Sequence, residues 1–142
     1  PSSHQKSYDT YFELCQLDSQ KTPIACLATF RVFIERTFKD TSEALGIEFK
    51  NSSLRGKAKT LVNKLYRDQL IDKRLFDIVI NYTEDGLLSF NTIQDLMHSK
   101  EMYPTQSRMN NFWDELDPFI AVCWQTVMNL EDEDSELGVT AT

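Results

Sequence analysis

Thr22-Pro23-Ile24-Ala25-Cys26-Leu27-Ala28-Thr29-Phe30-Arg31-Val32-Phe33-Ile34-Glu35-Arg36-Thr37-Phe38-Lys39-Asp40 decides the fold class of this chain. Thr22 is a capping residue type, and Pro23 sits at the first helical position, where its missing N–H costs nothing. From there Ile24, Leu27, Arg31, Ile34 and Phe38 recur at intervals of 3, 4, 3 and 4 residues, the period of one α-helical face. Phe30, Val32 and Phe33 widen the apolar surface. A helix apolar around so much of its circumference belongs in the middle of a bundle. The spacing predicts that it ends near Lys39-Asp40.

The same rhythm continues on both sides. Toward the N-terminus, Tyr8, Tyr11, Phe12, Cys15 and Leu17 form the apolar side of a short helix, preceded by a flexible leader over 1–7. Toward the C-terminus, Gly46 and the polar Asn51-Ser52-Ser53 mark 41–53 as a connection with room for one helical turn. Leu54, Ala58, Leu61, Val62 and Leu65 then form a clean amphipathic helix with basic residues opposite. Asp72 is placed to cap the next helix, which carries Leu75, Phe76, Ile78, Val79 and Tyr82, and Asp85-Gly86 stops it. Ile93, Leu96 and Met97 predict a short helix over 91–98. After Pro104, Thr105 or Ser107 caps a long last helix with Phe112, Trp113, Leu116, Phe119, Ile120, Cys123, Val127 and Leu130 on its apolar side. Pro118 either kinks that helix or restarts it behind Asp117. No segment alternates in the manner of a strand. The expectation is an all-α, compact bundle of about five or six helices over 8–130, followed by an acidic flexible tail over 131–142.

Composition agrees with a packed domain. The chain has 142 residues, 41% of them apolar, with nine Phe, five Tyr and two Trp. No apolar run reaches the roughly 18 residues of a membrane span. With no secretory signature either, the expected location is cytoplasmic, with no membrane partner. The first residue is Pro1, which suggests a piece of a longer protein. Cys15, Cys26 and Cys123 are odd in number, lack Cys-x-x-Cys spacing and have apolar neighbours, so buried free thiols are expected. Net charge is −7, of which Glu131, Asp132, Glu133, Asp134 and Glu136 supply five units. The rest of the chain is nearly neutral, without the strong positive excess of a duplex-binding domain.

Motifs exclude more than they assign. The four glycines are isolated, so no phosphate-cradling loop is present, and no His/Cys array has metal-ligand spacing. No metal or cofactor is expected. Arg31 and Glu35 are four apart on one helix face, and Arg31 interrupts the Leu27–Ile34 stripe, where an uncompensated guanidinium would be costly. The simpler reading is a structural ion pair. His98, beside Met97, reads as a packing histidine that joins the pair in a structural polar cluster of Arg31, Glu35 and His98. Its catalytic alternative is an Arg31 and His98 centre. Arg55, Lys57, Lys59, Lys64 and Arg67 give a weak basic strip, explained by ordinary solvation. Tyr103, Phe112 and Trp113 are candidate interface residues.

Leu27-Ala28-Thr29-Phe30-Arg31-Val32-Phe33-Ile34-Glu35, Leu96-Met97-His98-Ser99, Tyr103-Pro104 and Phe112-Trp113-Asp114-Glu115-Leu116-Asp117-Pro118-Phe119 together resemble a distantly HEPN-like helical module. Such modules occur at the ends of some prokaryotic proteins, including ATPases and anti-phage defence proteins, and the resemblance spans roughly residues 23–128. HEPN ribonucleases carry an Arg, four to six intervening residues and a His in one late helix. His98 has no Arg at those preceding positions. The resemblance therefore implies a non-catalytic interaction or regulatory domain of a larger protein. Its partners would be parent-protein domains, another protein or a second copy of the chain. RNA is the partner only under the alternative of a metal-independent single-stranded RNA endoribonuclease using Arg31 and His98.

Overall fold

The computed structural model describes residues 4–18, 21–50, 53–84 and 106–140, with side chains through 83 in the third of these segments and from 113 to 132 in the last. Five helices and no strand occur among them: α1 (Gln5–Gln16), α2 (Pro23–Leu45), α3 (Leu54–Arg67), α4 (Lys73–Glu84) and α5 (Gln106–Thr140). No described helix is long and apolar enough to cross a membrane. The expected short helix over 91–98 lies outside the described residues.

As its wide apolar surface requires, α2 is central: it packs against α1, α3 and α5, while α4 bridges α3 and α5. Pro23 occupies its first turn. The end near Lys39-Asp40 is corrected, because α2 runs on to Leu45. Thr37 and Thr41 are fully buried inside it, and their hydroxyls donate to the carbonyls of Phe33 (2.8 Å) and Thr37 (2.6 Å). Polar residues that satisfy themselves on their own helix do not stop it. Gly46 does. At φ 69 its N–H donates to the Glu43 carbonyl and the next N–H, Ile47, donates to Ser42 at 2.9 Å. This is the paired closure of a left-handed C-terminal cap.

Ser53 starts α3 by accepting the Gly56 N–H at 3.0 Å, and Asp72 starts α4 by accepting the Leu75 N–H at 2.8 Å. Both bonds satisfy donors that the first turn leaves without helical partners. Leu54, Ala58, Leu61, Val62 and Leu65 are all buried against Phe38, Val79, Leu116 and Phe119 in one core. Pro118 neither restarts nor divides α5, which is a single helix on both sides of it.

At the two ends, helix occupies residues 5–7 and 131–140, where a leader and a tail are expected from sequence. The apolar stripe expected for α1 is only partly covered: Tyr11 packs against Phe33, while Tyr8 is 56% and Phe12 58% exposed and Ser7 is buried. The cysteine expectation holds for Cys123, fails for exposed Cys15 and is intermediate for Cys26. Burial pushes the Cys123 thiol up to about 12, against a smaller opposing hydrogen bond with Thr41.

Candidate binding cavity between the first, second and last helices

Helices α1 and α5 both lie on α2, and between them is a cavity of about 360 Å³. Its floor includes Phe33 from α2 and Ile120 and Val127 from α5, while Tyr8 and Met128 stand at its rim with more than half their surface exposed. Aromatic pairs stand at its two ends. At one end the rings of Tyr11 and Trp113 stack at 6.5 Å, with Phe33 5.4 Å from Tyr11 and Phe30 5.4 Å from Trp113. At the other end His4 meets Trp124 edge to face at 5.8 Å. Aromatic rings supply large rigid surfaces at small entropic cost, so this lining is largely preformed.

The polar end is built on Asp40. Its position on α2 follows Phe33 by seven residues, which puts the carboxylate on the inward face. It is 7% exposed, and a carboxylate there requires partners. Ser7 supplies one, its hydroxyl donating to Oδ2 at 2.7 Å, and His4 Nδ1 lies 3.1 Å from the same oxygen. The other His4 nitrogen, Nε2, pairs with Glu131 of α5. Carboxylate oxygens only accept, so both contacts are satisfied together by the imidazolium form. Desolvation is the largest single influence on His4 and lowers its pKa. The hydrogen bonds and charges of Glu131 and Asp40 together outweigh it, and the net shift is upward from the ordinary histidine value. His4 therefore ties α1 to α2 and α5 at once.

This arrangement is poorly suited to nucleophilic catalysis. Ser7 donates to Asp40 and not to a histidine base, while both His4 nitrogens face carboxylates. No group of three or more His, Cys, Asp or Glu side chains among the described residues is placed to hold a metal ion. Asp117 lines the opposite part of the cavity and is exposed. Its charge adds to the upward shift of the Tyr11 phenol, for which the hydrogen bond with Cys15 is the largest cause.

The residues expected from sequence fall differently. Arg31 Nη2 meets Glu35 Oε1 at 3.2 Å, with the two side chains 24% and 39% exposed. That i,i+4 pair is present, but neither residue lines the cavity. His98 and Tyr103 lie outside the described residues, and Phe112 belongs to α5 without a described side chain. Trp113 packs against Phe30 and Phe33 and lines the cavity. In the basic strip, Lys64 pairs with Asp68 at 3.1 Å and Lys57 lies over the Phe49 ring at 5.7 Å. Two of its five cations are thus engaged within the chain.

Sequence reading passed over His4, Ser7 and Asp40. Asp40 carried a usable signal, because it shares an inward helical face with Phe33, Thr37 and Thr41. Its partners come from another helix and have no local signature. Comparison with protein-family models, with curated proteins and with solved structures finds no match to this chain.

Proposed function

We propose that this chain is a non-catalytic interaction or regulatory domain that binds its ligand in the cavity between α1, α2 and α5. The observation that carries this reading is the cavity itself: about 360 Å³, walled by aromatic and aliphatic side chains, with a few polar groups at its ends. That size and lining are those of a small-ligand site. The exposed Tyr8 and Met128 at its rim, with exposed Phe12 stacked on Tyr8, extend the apolar surface outward. Singly exposed apolar residues are ordinary, but a group of them at the mouth of a cavity marks a contact region.

Ribonuclease activity draws less support. Arg31 is engaged by Glu35 and lies away from the cavity. The neutral dye Nile red tests the binding reading. It should bind the folded protein saturably, and Met128→Arg, which places a charged side chain at the cavity mouth, should abolish binding while helical circular dichroism is retained. Undiminished dye binding in Met128→Arg, or none in the wild type, contradicts the reading. Cleavage of single-stranded RNA by the purified protein, lost in Arg31→Ala, would move the assignment to the nuclease alternative.

A further inference from the structure

We infer that the cavity between α1, α2 and α5 selects an organic cation: a small alkylated ammonium ion carrying an apolar body. This deepens the binding reading above and rests on it. Two independent properties of the cavity point the same way. The first is its rings. Tyr8, Tyr11, Trp113 and Trp124 all line it, and the faces of such rings attract cations through their quadrupole, with tryptophan the strongest.

The second property is charge. Asp117 and Glu131 line the cavity, one toward each end, and no Lys or Arg lines it among the described residues. Among the described lining residues His4 is the one basic group, and it is bracketed by two carboxylates, Asp40 and Glu131, so even its imidazolium form leaves that trio negative. An anion entering the cavity would be repelled by Asp117 and Glu131, and a neutral apolar molecule would gain nothing from Asp117. An ammonium whose charge is spread over methyl groups gains from both the rings and the carboxylates. It is also less strongly hydrated than the compact ammonium of lysine, so less is lost when it leaves water. At about 360 Å³ the space suits a discrete small molecule and not a peptide helix.

Phenyltrimethylammonium and tert-butylbenzene test this directly, because they share a shape and differ in one atom, N⁺ for C. Benzenesulfonate supplies the anion. Calorimetric titration of the whole chain should show the cation binding about tenfold or more tighter than its uncharged isostere, with no binding of the anion. Added salt should erode that advantage. Asp117→Asn removes an exposed carboxylate and should weaken the cation about two- to fivefold while leaving the isostere unchanged. Met128→Arg should exclude the cation. Equal affinities for cation and isostere, or an Asp117→Asn effect common to both, would overturn the selectivity while leaving the binding reading intact. If none of the three probes binds although Nile red does, the inference fails alone; if Nile red fails too, both fail.

Discussion

Asp40 and Arg31 are both charged groups on α2, and they show how burial decides what an ion pair is worth. Asp40 is 7% exposed and holds Ser7 and His4. Asp40→Ala would leave a buried hydroxyl and an imidazole without their acceptor, a loss on the order of 3 kcal/mol. Arg31 and Glu35 are 24% and 39% exposed, so water reaches both side chains, although Arg31 Nε is itself buried. Arg31→Ala should cost under about 1 kcal/mol. Urea unfolding of the two variants side by side should give that order, and a larger loss for Arg31→Ala would reverse it. From sequence, Arg31 stands out because it interrupts an apolar stripe. Its long side chain can bury its stem and keep its head in water, and this makes the stripe a poor guide to burial. Asp40, short and turned inward, lacks that freedom.

At the scale of helices, starts were more legible than ends. Ser53 and Asp72 act as their residue types announce, through local bonds that need no tertiary partner. Pro23 stands in the first turn of α2, although Thr22 before it makes no side-chain cap bond. The end of α3 was hidden, because its left-handed residue is Gln69 at φ 62 and not a glycine. The Leu70 N–H closes onto the Leu65 carbonyl at 2.9 Å, the same closure Gly46 makes for α2. Gln69→Gly removes the Cβ penalty and should raise stability by about 0.5–1 kcal/mol, less whatever the freer unfolded chain recovers. A fall in Tm would contradict that account of the turn. The half-covered aromatic face of α1 was illegible for a different reason: apolar periodicity locates a face but does not say what covers it. Here the helix is seated by Ser7, Leu14 and the His4 bridge instead.

That bridge gives α1 a pH dependence of definite sign. The folded pKa of His4 is raised, so its contribution is fully present below the unfolded value of about 6.5 and is lost as pH rises through the folded value. The groups facing it are Asp40 from α2 and Glu131 from α5, together with the Trp124 ring. Wild-type protein should therefore be more stable at pH 6 than at pH 8.5, and His4→Gln should shrink that difference. An unchanged pH profile in the variant would remove His4 from the account.

For the whole molecule, the all-α class followed from helical period alone, and the core of Phe38, Leu61, Leu65, Leu116 and Phe119 comes from positions that period assigns inward. The cavity did not follow, because it depends on how far α1 and α5 stand apart on α2, a distance set by bulky rings meeting at its ends. The central claim is that this space is the binding site, and the protein carries its own reporter for it: its two tryptophans, Trp113 and Trp124, both line the cavity. In a ¹⁵N-labelled sample they give two indole N–H signals. Titration with phenyltrimethylammonium should move both signals saturably with one shared dissociation constant. Two indole signals that stay in place at saturating cation, while backbone amides of another surface respond, would contradict the assignment of the site.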